Sequence, residues 1–316
     1  MACCGDEVVE WVLSRRWYPL KGVPPDEIIT LNLGEGLKGF LIKVRSLQVF
    51  APVTIKGGEY VEGEYTVEYV KNLISGGGLL EVRKYDEFPE GQVVVKALPT
   101  AWTNVISVVE VGGRKYVLKG YRTFSPELSE PRFLRYLSRR GFPYSPKLAL
   151  EVLLGGVVVA VMTRYVESTL YDGENFTLID FEGEPGRTGR RRSVLETASR
   201  DLACLLRSLH YVAMFAYAEA RKKSLAEVFH EFVKERKLGS EALEWQDTVF
   251  NALLREYLRN TSLQEIQGLN DEGVFINSLK AWALERALYE LFYELNYGTG
   301  YVYVPLEYLL REDQLP

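Results

Sequence analysis

The apolar pattern of this chain changes period once, and that change constrains the fold more than any single motif. From Val194 almost to the end, apolar side chains recur at helical spacing, with Leu195, Ala198, Leu202, Leu205, Leu206 and Leu209 on one 3.6-residue repeat. Apolar and charged residues alternate on the same spacing from Ala281 to Asn296, and Pro305 stands ahead of a short terminal helix. Before Val194 the apolar runs are short, alternate like strands and break at paired glycines. A mostly β half followed by a helical half predicts an α+β chain in two lobes.

Composition supports that reading and excludes several function classes. In 316 residues, 47% are apolar and 26% charged, enough for a soluble globular protein of two or three domains. Basic side chains number 38 against 43 acidic ones, a net charge of −5, so general attraction to nucleic acid or an anionic membrane is not expected. Three cysteines, two of them adjacent at Cys3 and Cys4, cannot make a disulfide scaffold. Cys204 reads as a small core residue of a helix. The opening M-A-C-C-G-D has neither a basic leader nor an apolar run of signal length. The apolar stretch Val152 to Thr163 is interrupted by Gly-Gly and falls far below the roughly 20 residues of a membrane span. A cytoplasmic location is expected.

Residues 1–90 mix one amphipathic helix, Glu7 to Arg16, with glycine-punctuated strands, among them Phe40 to Phe50. Gly57-Gly58 precedes a segment from Glu59 to Val70. Gly76-Gly77-Gly78 is a loop; as a phosphate cradle it lacks the Lys-Ser/Thr and the helix that should follow. Residues 91–167 predict an antiparallel sheet with one helix. Val93 to Leu98, Val105 to Val111 and Lys115 to Tyr121 are strands, the last two joined at Gly112-Gly113. Ser125 to Arg140 is helical, with Phe133, Leu134 and Leu137 on its apolar spacing. Leu148 to Leu154 and Val157 to Met162 then form a hairpin around Gly155-Gly156. Residues 168–316 make the helical part.

Three strands, the third bearing a lysine, then a helix and a hairpin, is the order of a kinase amino-terminal lobe. Phosphoryl transfer needs a lysine on the nucleotide phosphates, an acid to hold it, carboxylates for Mg²⁺ and a base for the acceptor hydroxyl. Alternation puts Val117 and Lys119 on one strand face, so Lys119 is the candidate lysine. Glu130 is its candidate partner and Glu127 the competitor, because helix phase is open near Pro131. Trp102, Thr103 and Asn104 occupy the loop that would lie over the phosphates.

The strongest local signal is Phe176-Thr-Leu-Ile-Asp180-Phe-Glu182-Gly-Glu184-Pro, an apolar run that ends in carboxylates and a turn. Hard oxygen ligands at the mouth of a buried strand suit Mg²⁺. Arg187, Arg190, Arg191 and Arg192 follow, a solvated loop or a phosphate contact, with Arg187 and Arg190 the named candidates. His210 and His230 have no acid at metal spacing, and neither reads as a ligand or a base.

These residues carry a resemblance. I-D-F-E-G-E-P-G-R from Ile179, the following R-R-S-V-L-E, S-R-D-L-A-C-L-L-R-S-L-H-Y from Ser199 and the early S-R-R-W-Y-P-L-K-G from Ser14 resemble the maltokinases. So does E-R-A-L-Y-E-L-F-Y-E-L-N-Y from Glu285, their closing helix. These are aminoglycoside-phosphotransferase-like kinases that make maltose 1-phosphate from ATP and maltose. The resemblance implies a protein-kinase-like two-lobed fold behind a small α/β cap, with the cap over 1–90, the β-rich lobe and hinge over 91–167 and the helical lobe over 168–316. It implies ATP and Mg²⁺ as cofactors, a disaccharide such as maltose as substrate and association with an enzyme of trehalose or glycogen metabolism. Lys119 would meet the phosphates with Glu130 behind it. Asp180 would bind the metal beside Glu182, and Asp201 would be a buried helix acid propping the catalytic loop. Adenine would meet a hinge from Met162 to Val166, including Tyr165. Tyr289, Glu290 and Tyr293 would lie near the sugar.

One departure is large. The family's H-G-D-x-H-x-x-Q should precede Leu170-Tyr171-Asp172-Gly173, yet its glutamine place falls on Ser168, its aspartate on Thr163 and its His-Gly on Val161-Met162. No His-x-Asp occurs in the chain, so no catalytic base is identified. Asp172 is a poor substitute, one hairpin away in a D-G turn. Only 12 residues separate Glu167 from Asp180, where two helices and a loop need roughly 30. The expectation is therefore an impaired sugar kinase, or a non-catalytic kinase-fold protein that binds nucleotide or a partner.

Overall fold

The computed structural model describes residues 6–76, 78–98, 104–126, 128–166, 197–234, 240–264, 271–297 and 300–311. They belong to two units, residues 1–193 and 194–316, the first α+β and the second helical.

The first unit opens with α1 (Asp6–Ser14) and an antiparallel sheet of β1 (Glu27–Gly34), β2 (Leu37–Val44), β3 (Leu47–Lys56) and β4 (Glu59–Glu62), paired in chain order. Val8, Val12, Trp17 and Tyr18 pack on Phe40, Ile42, Val49 and Val53 of this sheet. Burying large apolar and aromatic side chains of this kind is worth about 1.5–3 kcal/mol each. The expected single strand from Phe40 to Phe50 is instead the end of β2, a turn and the start of β3. The turn carries no glycine. Arg45 adopts the left-handed region at φ 52, and its N–H is held by the Asp26 carboxylate, a distant partner that leaves no local mark in the sequence.

A 3-10 turn (Gly63–Tyr65) leads into α2 (Val67–Ser75), capped by Thr66, whose hydroxyl accepts from the Tyr69 N–H. Gly76 ends the helix in the left-handed region. Gly78 sits so close to Leu33 that an added Cβ would lie 2.2 Å from its carbonyl oxygen. Close backbone packing accounts for that glycine without a phosphate.

The second sheet has the order β5-β9-β10-β8-β7-β6, with β5 (Glu81–Lys84), β6 (Val93–Leu98), β7 (Val105–Val111), β8 (Arg114–Gly120), β9 (Leu148–Leu154) and β10 (Val157–Arg164). Every pairing in it is antiparallel. Strand β5 precedes residue 91, so this sheet reaches back into the region that the sequence groups with the cap. Gly112-Gly113 turns at φ 52 and 83, and Gly155-Gly156 at φ 57 and 84, the paired left-handed geometry that tight hairpins need.

Helix α2 covers one face of this sheet, packing Tyr69, Val70 and Leu73 on Val109, Leu118, Val152 and Met162. Helix α3 (Ser129–Arg139) covers the other through Leu134, beside Tyr121, Leu148 and Val161. Phe133, expected on the apolar side of α3, is half exposed. The two sheets are tied by backbone bonds from Phe50 N–H to the Arg122 carbonyl (3.0 Å) and from Phe124 N–H to the Gln48 carbonyl (2.9 Å).

The second unit contains α4 (Ala198–Arg221), α5 (Leu225–Lys234), α6 (Ser240–Asn260), α7 (Glu272–Tyr297) and α8 (Tyr303–Leu310). Leu202, Leu206, Phe250, Phe275, Leu279, Ala283 and Tyr308 form its core. Pro305 lies inside the first turn of α8 rather than ahead of it, where a missing N–H leaves no helical bond unmade. Cys204 is half-buried rather than core. No described helix is long and apolar enough to cross a membrane.

Candidate functional site

Strand β8 lies between β10 and β7, so its register is fixed from both sides. Lys119 stands opposite Ile106 of β7 and Val161 of β10, and Val161 in turn stands opposite Glu151 of β9. In an antiparallel sheet such a row shares one face. That face is the one α3 covers, because Tyr116 and Leu118 take the opposite side into the α2 core. Lys119 is thereby directed under a helix instead of into water, with its side chain 13% exposed.

Its ammonium lies 2.8 Å from Oε2 of Glu130, in the first turn of α3. The structure thus brings Lys119 and Glu130 together; Glu127 lies outside the described residues. The Tyr121 hydroxyl donates to the same Glu130 oxygen at 2.8 Å, and its ring lies 5.8 Å from the ammonium. Further along α3, Arg135 makes a bidentate contact with Glu151, its Nη2 2.7 Å from Oε1, while the Tyr85 hydroxyl donates to Oε2 at 2.7 Å. The hydrogen bonds with Glu151 raise the Arg135 guanidinium above its usual range. Burial, then the neighbouring Glu151 carboxylate, raises the Tyr85 phenol. Helix α3 is therefore gripped at two points of one sheet row, by Lys119 and by Glu151. The sequence reading missed Glu151, although it left a signal: it is the charged residue within the apolar run Leu148 to Leu154, and a buried charge requires a partner.

The remaining predicted site residues divide sharply. Asn104 is described and half-buried just before β7, whereas Thr103 lies outside the described residues. Met162 is fully buried on the α2 side, paired with Leu118, so its side chain faces away from Lys119. Tyr165 stacks on Lys115, with the ammonium 5.7 Å from the ring, and its N–H donates to the Lys115 carbonyl. Asp180, Glu182, Glu184, Arg187, Arg190, Arg191, Arg192, Ser168 and Asp172 lie outside the described residues. Among the described residues no group of three or more His, Cys, Asp and Glu is arranged to hold a metal. Of the residues that the sequence assigned to a nucleotide and metal site, the described ones thus include the paired lysine and acid and not the candidate metal carboxylates.

In the helical unit, Asp201 is exposed in the first turn of α4, not buried as expected. The buried face of α4 runs through Ser199, Leu202, Ala203 and Leu206, which turns position 201 outward, where an acid complements the helix N-terminus. Glu290 is buried and accepts from Arg207 Nη2 (2.8 Å) and Arg286 Nε (3.0 Å), so its carboxylate is committed to these cations. Tyr289 and Tyr293 stand beside it, their rings 6.4 Å apart.

His210 is the centre of a polar cluster that the sequence did not announce, because its acid comes from α8. Arg207 Nη1 approaches Nδ1 at 2.6 Å, which leaves the ring proton on Nε2, 2.6 Å from Glu307 Oε2 though off the line of an ideal hydrogen bond. Burial, reinforced by the Arg207 charge, holds the imidazole down to about 4. Burial would raise Glu307, but contact with His210 and Arg311 brings it down to about 2.

Both groups destabilise the fold in acid. Between pH 6.5 and about 4 the unfolded histidine takes a proton that the folded one refuses. Between 4.5 and about 2 the same holds for Glu307. The urea midpoint of the helical unit is expected to be level above pH 6.5 and to fall steadily below it. The histidine alone accounts for on the order of 3 kcal/mol. His210→Gln should flatten the limb between 6.5 and 4, and a wild-type midpoint that is flat across that limb contradicts the assignment.

No family model matches the chain. A solved structure, glucosamine kinase (crystal form B), shares the fold with a TM-score of 0.58 at 14% identity, over 98% of this chain and 100% of that one.

Proposed function

We propose that this chain is a kinase-fold protein of the maltokinase type that holds ATP with Mg²⁺ and transfers phosphate to a sugar poorly or not at all. The observation that carries the reading is the Lys119–Glu130 pair at 2.8 Å, built on a central strand and the helix that follows it. Phosphoryl transfer is mostly positioning and electrostatics, and a lysine held by an acid supplies a fixed positive charge for phosphate oxygens. The fold shared with a glucosamine kinase over nearly the whole chain supports a sugar as the acceptor class. Asp180 and Glu182 are the proposed holders of Mg²⁺, which would neutralise phosphate charge. The kinase-like cap, lobe and helical-lobe division is part of the same proposal.

Thr163 supports impairment. It occupies the place of the base aspartate, yet it is a buried strand residue paired with Val117 and Leu148. A buried hydroxyl there is not a base near neutral pH. The second reading, a nucleotide- or partner-binding protein without catalysis, rests on this same observation.

A coupled assay with ATP, Mg²⁺ and maltose or glucosamine, run beside calorimetric titration with MgADP, separates these outcomes. Nucleotide binding with turnover orders of magnitude below an ordinary sugar kinase is expected. Rapid turnover that Asp180→Ala abolishes would remove the claim of impairment, and absence of nucleotide binding would remove the kinase reading itself.

A further inference from the structure

Resting on that reading, we infer that Tyr121 is a positioning residue of the nucleotide site, acting on the lysine through Glu130. Its hydroxyl donates at 2.8 Å to the Glu130 oxygen that also receives Lys119. Both donors therefore converge on a single oxygen. A carboxylate with one donor can rotate about its last torsion and carry the ammonium with it; a second, rigid donor on the same oxygen removes that freedom. Tyr121 is suited to this by its burial at 1% exposure, its ring clamped among Leu128, Leu134, Leu148 and Val161. Its backbone is fixed as well, since its N–H donates to the Val159 carbonyl at 2.8 Å. The ring also lies 5.8 Å from the Lys119 ammonium, close enough to favour a cation over its face.

The phenol is buried, so its part in this proposal is to hold Glu130 and not to touch nucleotide. A tyrosine that served packing alone would need only its ring, and phenylalanine fills the same space. The test is a double-mutant cycle on MgADP affinity, measured by calorimetry for wild type, Tyr121→Phe, Glu130→Ala and the double variant, with Lys119→Met as reference. Tyr121→Phe should weaken MgADP about 3- to 10-fold, the range of one net hydrogen bond. In the Glu130→Ala background the same change should have a clearly smaller effect, because the hydroxyl has lost the Glu130 oxygen as acceptor. Equal losses in both backgrounds, or no loss in either while wild type binds and Lys119→Met does not, overturn the role of Tyr121 alone. Failure of wild type to bind MgADP, or equal binding by Lys119→Met, overturns the nucleotide reading and this inference with it.

Discussion

Lys119→Met is expected to lower the affinity for MgADP about 10- to 100-fold, the loss of one charged hydrogen-bond donor worth about 1.5–3 kcal/mol. Methionine keeps the unbranched stem that lies beneath α3 and removes only the charge. Glu130 keeps the Tyr121 hydroxyl as a donor, and Arg135 still holds the helix to Glu151, so the fold should survive. The thermal midpoint without nucleotide should fall, because Glu130, its side chain 6% exposed, loses its cation, but the Tyr121 and Arg135 contacts should keep the chain folded at the assay temperature. Lys119→Arg should fall between, because a guanidinium fork does not reproduce a compact ammonium at 2.8 Å from one carboxylate oxygen. Titration of MgADP into the three proteins decides the matter. An unchanged dissociation constant for Lys119→Met would show that the pair is a structural ion pair and that nucleotide, if bound, is held elsewhere.

Glu64→Ala should give the largest loss of stability in the first unit, about 3–5 kcal/mol, because it leaves Arg122 charged and buried without its acid. The two side chains are 1% and 2% exposed and meet bidentately, Nη1 to Oε1 at 2.5 Å and Nη2 to Oε2 at 3.1 Å. The Arg122 guanidinium also lies 5.1 Å from the Trp17 ring centroid, between the first sheet and the end of β8. Burial opposes its charge, but the Glu64 carboxylate more than restores it and raises the guanidinium above its usual range. Arg122→Met should cost a similar amount by stranding Glu64. The Glu64→Leu, Arg122→Met double variant should recover much of the loss, since two apolar side chains need no partner. Gly120→Ala belongs to the same prediction: its new Cβ would fall 2.0 Å from Glu64 Oε1, against an acid that the bidentate bond prevents from moving. Urea unfolding followed by tryptophan emission reads all four variants, with Trp17 reporting from beside the pair. Single variants within about 1 kcal/mol of wild type would mean that water reaches the pair.

Much of this architecture was legible because it is local. The paired glycines at 112–113 and 155–156 marked their hairpins, alternation set the face of Lys119, and the 3.6-residue repeat marked α4 and α7. Glu130 was open to selection because kinase chemistry demanded an acid on the next helix. The illegible parts are those fixed by distant partners. The Arg45 turn depends on Asp26, Glu64 on Arg122, and His210 on Glu307. No spacing rule connects such residues, since the fold alone brings them together. Asp201 shows a different limit. Its helix was legible and so was the face bearing Leu202 and Leu206; the expected burial came from the resemblance alone, and the phase of this helix turns position 201 outward.

The strand order of the second sheet also dictates the sequence of events during synthesis. Strands β1 to β4 pair in chain order and can close as they leave the ribosome. The second sheet cannot. Strand β5 is made before β6, β7 and β8, yet its partner is β9, so Val82 must wait for Val152 and Glu81 for Leu153. Strand β8 likewise has one bare flank until β10 arrives to set Val161 against Lys119. The first sheet can thus pair its strands, presenting Gln48 and Phe50, before the lysine strand has both neighbours. A nascent chain halted between β8 and β9 would carry a paired first sheet and an unpaired β edge, which makes that interval one of exposure to aggregation.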